Sequence, residues 1–136
     1  MATSTYLSNP TVTVNSVALT GFATAATLER TNTAQDTTVF GNTARVYSAT
    51  IEDNSLTITL FMTYGASEVY ATLATLVGTQ TTVVVKPTSA AVGATNPNFT
   101  LTGAYLETLP VINATLGELS QIDITFTGGV YTAAIV

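Results

Sequence analysis

Cysteine, histidine and tryptophan are all missing from these 136 residues, and only three side chains, Arg30, Arg45 and Lys86, are cationic. Each absence removes a class of chemistry. Without cysteine there is no disulfide framework and no thiolate nucleophile, and the redox compartment is left open. Without histidine the usual general base and the commonest transition-metal ligand are gone, which leaves carboxylates, hydroxyls, tyrosines and one lysine to carry any reaction. Eight acids give a net charge of -5 and a pI near 4.1, so tight binding of nucleic acid phosphates is excluded and contact with DNA should be transient. Long apolar runs are also lacking: mean hydropathy is +0.42, yet Thr, Asn, Glu or Gly breaks every stretch well short of the roughly 18 residues of a spanning helix. A transmembrane barrel needs at least about eight strands of about ten residues with aromatic girdles, more than the chain supplies, so no membrane insertion is expected.

The remaining reactive groups form no constellation. Lys86 ends an apolar run before Pro87 with no serine at the spacing of a Ser-Lys nucleophile. Glu52 and Asp53 are adjacent, and on a strand neighbours point to opposite faces, which is wrong for paired carboxylates. Acidic-loop calcium spacing and glycine-rich phosphate cradles are absent. The chain therefore reads as no enzyme, with no cofactor and no metal. Only 8% of its residues are charged, against about a quarter in ordinary soluble domains, while 46% are hydrophobic. A free surface of Thr, Ser, Asn and apolar groups suits contact with further copies of the chain.

What is abundant is threonine, about a fifth of the residues, which together with Val, Ile, Tyr and Phe favours strands. One mainly β domain over 1–136 is predicted, a β-sandwich or barrel of about six to eight strands with one flanking helix at about 67–77. Met1 to Pro10 has no basic start or cleavage pattern and reads as a short polar arm. Thr11–Thr20 reads as a hairpin turning at Asn15-Ser16, followed by a strand over Phe22–Arg30. Thr31–Asn54 reads as a long polar loop with turn signals at Gly41-Asn42 and Asp53-Asn54. Ser55–Tyr64 alternates cleanly, with Leu56, Ile58, Leu60 and Met62 inward. Ser67 is the expected helix cap, Val69, Leu73, Leu76 and Val77 the buried stripe, and Gly78 the stop. Strands are also expected at Thr81–Lys86, Phe99–Leu109 and Glu118–Thr127, the last with Ile122, Ile124 and Phe126 inward. Residues 130–136, VYTAAIV, are an apolar terminal strand or tail seeking a sheet edge.

The text TTVFGNTARVYSATIEDNSLTITL at 37–60 resembles a stretch of the form TT-x-FG-[DN]-x-AR-x-Y, a turn and SL-x-[IL] found in the major tail (tail tube) proteins of long-tailed bacteriophages. SEVYATLATLVGT, TTVVVKPTSAAVGATNP and LGELSQIDITFTG follow in that family's order, so the likeness runs from Asn9 to Gly129. The chain departs from many relatives in the more acidic Ile51–Asn54 stretch and lacks the immunoglobulin-like domain that some carry.

The resemblance implies a subunit whose copies form hexameric rings, stacked into a hollow tube for DNA ejection and related in fold to the inner tubes of contractile tails and type VI secretion. It implies further copies of the chain, tape-measure, initiator and terminator proteins as partners, double-stranded DNA as a transient, non-specific passenger of the lumen, and a virion tail assembled in the bacterial cytoplasm. Asp36, Phe40, Arg45 and Tyr47 in the long loop are the implied subunit contacts, with Arg45 expected to meet an acid across the interface. Glu29, Thr57, Thr59, Gln121, Asp123 and Thr125 are the lumen candidates. The competing expectation is a β-sandwich binding or decoration module of a virion or cell surface, for which the lack of Trp is unfavourable.

Overall fold

The computed structural model describes residues 10–94 and 96–135, so the arm expected at 1–10 lies, apart from Pro10, outside the described residues. In chain order the elements are β1 Thr11–Val14, β2 Val17–Ala18, β3 Ala23–Asp36, β4 Tyr47–Phe61, α1 Val69–Leu73, β5 Gln80–Lys86, β6 Asn98–Leu106, β7 Gln121–Thr127 and β8 Val130–Ala134. All pairings between these strands are antiparallel, in the order β2-β1-β5-β6-β7-β4-β3, with β8 added to the free half of β6. The protein is mainly β with one short helix, as its threonine content and alternation predict.

The β1–β2 hairpin turns where expected. Asn15 and Ser16 both have positive φ, 48° and 66°, the geometry whose twist matches a two-residue hairpin. From β1 the sheet curls. Val12 and Val14 of β1, Val83 of β5, Leu101 and Leu106 of β6, Phe126 of β7, and Leu56 and Ile58 of β4 share one buried cluster. In a flat sheet at about 4.8 Å per strand β1 and β4 would be some 19 Å apart, so the two halves must fold over a common core. The bend lies where β6 exchanges partners. Its Tyr105 and Leu106 pair with β7, whereas Asn98–Thr102 pair with β8. Gly103 at φ 80°, Gly128 at φ 73° and Gly129 at φ 92° turn the backbone there, and a Cβ on Gly129 would sit 2.8 Å from the Thr102 carbonyl oxygen. Residues 130–134 thus join the chain's own sheet.

Three expectations are corrected. First, the stretch expected as a loop over Thr31–Asn54 is strand up to Asp36 and again from Tyr47, leaving 37–46 as the turn of a long β3–β4 hairpin. Its outer part projects from the body, every residue of 29–51 being exposed. Threonine's β preference holds these strands although neither face meets a core. Second, no turn occurs at Asp53-Asn54. Asn54 is buried mid-strand, its carbonyl accepting from Gly128 N–H at 2.8 Å and its side chain donating to Gly129 O at 3.1 Å, which ties β4 to the bend. Third, α1 is shorter than predicted and Ser67 does not cap it, because its φ of 60° is left-handed rather than extended. Thr63 meets the helix start instead, accepting from Val69 N–H through its hydroxyl and from Tyr70 N–H through its carbonyl. Val69, Leu73 and Leu76 are buried, but Val77 is exposed and bridges Leu106, while Gly78 turns the chain at φ 80°.

Candidate assembly surfaces

Alternation sorts β3, β4 and β7 into two faces. The inward face carries Leu28, Leu56, Ile58, Ile124 and Phe126. On the outward face the register aligns Thr27, Thr57 and Thr125 in one row and Ala25, Thr59 and Asp123 in the next. Thr59 donates to Asp123 at 2.6 Å, the Thr57 and Thr125 hydroxyls meet at 3.4 Å, and Gln121 donates to Thr24 at 3.1 Å. Glu29 stands in the row of Ser55 and Thr127, with Asp53 one pair further out. The six residues singled out as lumen candidates, Glu29, Thr57, Thr59, Gln121, Asp123 and Thr125, thus share one surface. Glu107 adds an acid, lining a shallow hollow with Asp123, Thr125 and Thr127. No described cation stands on this face: Arg30 points to the other side of β3, Lys86 ends β5, and Arg45 is at the hairpin tip.

The four contact candidates gather at the tip. Asp36 and Tyr47 are the last paired residues of the hairpin, and Gly41 at φ 94° closes the turn with Asn42 N–H donating to Val39 O. Phe40 is fully exposed, and Val39, Tyr47 and Ile51 are largely so. Arg45 does not await an acid from elsewhere: its Nη1 lies 2.6 Å from Asp36 Oδ2 in the same arm. Asp36 is held below its ordinary value by hydrogen bonds from the Thr38 hydroxyl and backbone N–H, with Arg45 adding to them. The tip is therefore a self-neutralised, apolar knob. A bulge between Asn32 and Ala34 re-aims it, and Thr50 pins the bulge with its N–H to Asn32 and its hydroxyl to Thr33 O.

Two surfaces escaped the sequence reading. The first is an apolar groove of about 670 Å³ between the two halves of the folded sheet, lined by Ala26 and Leu28 of β3, Val85 of β5, Phe99 of β6 and Tyr131 of β8, with Arg30 and Lys86 on its rim. Arg30 spans it, 4.3 Å from the Tyr131 ring centroid and 2.9 Å from Glu52. The Arg30 hydrogen bond holds Glu52 below its ordinary value, and Glu52 in turn raises Arg30. Only residues far apart in sequence form this groove, so no local signal announces it. The second is the 107–120 connection. Three side-chain hydrogen bonds fix it, Tyr64 donating to Val111 O, Asn113 to Gln121 O and Ser120 to Asn113 O, while Val111, Ile112, Leu116 and Leu119 face solvent. The local signal was four apolar residues in text too rich in Pro, Asn and Gly for a strand.

No protein-family model matches the chain, and neither does any curated protein sequence. Solved structures do match. A chain of an extracellular contractile injection system, in the PVC sheath/tube terminator in its extended state, superposes with a TM-score of 0.70 at 12% identity over 97% of each chain. A chain of the virion of a native gene transfer agent particle gives 0.68 at 8% identity, over 96% of this chain and 99% of that one. A chain of the PVC sheath-tube complex gives 0.63 at 11% identity, over 94% and 89%. The fold is shared with chains of contractile injection system and gene transfer agent particles, which is consistent with the tail tube resemblance seen in the sequence.

Proposed function

We propose that this chain is a non-catalytic structural subunit of a phage-type tail tube, assembling as hexameric rings stacked into the channel through which DNA is ejected. The observation that carries the proposal is the outward face of β3, β4 and β7, where Glu29, Asp53 and Asp123 stand among hydroxyls and amides with no described cation. Such a wall repels duplex DNA and offers its phosphates no cationic contact, as a conduit requires. Glu29, Thr57, Thr59, Gln121, Asp123 and Thr125 line the lumen in this reading. The projecting hairpin with Asp36, Phe40, Arg45 and Tyr47 reaches a neighbouring subunit, and tape-measure, initiator and terminator proteins complete a virion tail assembled in the host cytoplasm.

The likeness to a structure of a sheath/tube terminator favours a second reading, a terminal ring that caps a tube and does not propagate. Negative-stain microscopy of the purified protein, alone, with tail initiator complexes and with finished tail tubes, separates the two. Long hollow tubes support the tube subunit, rings that add only to finished tubes support the terminator, and a monomer inert in all three settings overturns both.

A further inference from the structure

The groove and the 107–120 connection are chemically matched, and within one molecule no residue of the connection lines the groove. Lys86 on the groove rim has no acid partner among the described residues, its Nζ donating only to the Ala90 carbonyl, whereas Arg30 is neutralised by Glu52. The rim thus carries a net positive charge on an otherwise acidic protein. The 107–120 connection bears apolar Val111, Ile112, Leu116 and Leu119 with Glu118, which makes no ion pair among the described residues, and it contains no cation. The arm tip is equally apolar, but Arg45 already neutralises Asp36, so it brings nothing for Lys86. The β3 wall of the groove reaches Thr24, which accepts from Gln121, but Lys86 lies at the other end: following β7 from Gln121 to Phe126, across to Leu106, then along β6 to Phe99 and Val85 covers about 40 Å of strand at 3.3 Å per residue.

We infer that the 111–119 segment of one copy docks in the groove between β3, β5 and β8 of a second copy, with its Glu118 facing the second copy's Lys86. The contact joins unlike surfaces, so it propagates from copy to copy instead of closing a pair. A stable pair takes roughly 20–30 residues a side. The segment and groove supply fewer, so one contact holds two free subunits weakly and gains strength when rings present several at once. The inference rests on the self-assembly proposed above.

The absence of cysteine makes the test specific. The full chain carrying both Lys86→Cys and Glu118→Cys is concentrated to about 1 mM, oxidised and run on a non-reducing gel, with each single variant as control, while the unmodified chain is imaged in parallel. A ladder of linked chains in the double variant, against at most dimers in the singles, is expected. Tubes without a ladder overturn this contact and leave the tube proposal standing. A ladder without tubes supports the contact and counts against the tube, and neither tubes nor ladder overturns the contact. Charge reversal gives a second readout: Lys86→Glu or Glu118→Lys alone raises the critical concentration for assembly about tenfold, and both together return it to within about threefold. Failure of the double reversal to recover any of the loss overturns the pairing.

Discussion

One strand lives in two environments. The second half of β4 carries Leu56, Ile58 and Leu60, none more than 1% exposed, while the first half carries Tyr47 and Ile51 at 58% and 89%. Both halves pair with β3 antiparallel, with a register shift in each half, so strand pairing does not distinguish them. The difference is a layer: β4 from Asn54 onward is covered by the other half of the folded sheet, and the arm is covered by none of the described residues. Apolar side chains in the body hold the fold, and the same residue types in the arm stand exposed.

Mutation breaks that comparison most sharply. Phe126→Ala, deleting the largest buried side chain opposite Leu56, is expected to cost about 3–5 kcal/mol in urea unfolding, whereas Phe40→Ser should shift the same curve by less than about 0.5 kcal/mol. Assembly measured by light scattering should reverse the order of concern, with Phe40→Ser leaving a folded chain that no longer forms tubes. Gly129→Ala comes next, at about 2 kcal/mol, since the left-handed φ and the 2.8 Å approach to Thr102 O both oppose a side chain. A value near zero would show that the bend between β6, β7 and β8 yields easily.

Hydrogen exchange sharpens the comparison without mutation. Amides of 56–60 should exchange only through global unfolding, and those of 48–51 should open locally in the free subunit and slow markedly in assembled tubes. Equal protection of the arm in both states would mean that assembly does not order it. The smallest effect is electrostatic. Asp36 titrates below its ordinary 3.8, so the contribution of its contacts to the arm is present above that value and lost as the pH falls through the lower, folded one. Acid should therefore loosen the tip, seen as chemical-shift changes at Tyr47 and Thr38, before it unfolds the core. High salt should weaken the exposed Asp36–Arg45 pair in the same region.

Much of the body was legible because burial on one face writes a period of two into the sequence. Ile122, Ile124 and Phe126 alternate with Gln121, Asp123 and Thr125, and the structure keeps that parity residue by residue. The arm was misread as a loop for the complementary reason. With solvent on both faces, TNTAQD needs no alternation, and only its threonines hint at strand. The helix was overextended because Val77 continues its apolar stripe in sequence, while in space it leaves the helix to bridge Leu106.

By itself the sequence determined the class of fold, the inward and outward sets of the central strands, the lack of histidine and cysteine chemistry, and a surface nearly without charge. These follow from composition and local period, which need no knowledge of partners in space. Only the tertiary structure decided that Arg45 is neutralised by Asp36 in its own arm, that Arg30 bridges to Tyr131 and Glu52, and that a groove opens beside Lys86. The ion pairs depend on how the β3–β4 hairpin sets its register, while the Tyr131 contact and the groove depend on how far the sheet curls between Gly103 and Gly129, which brings together side chains up to about a hundred residues apart, beyond the reach of any local pattern.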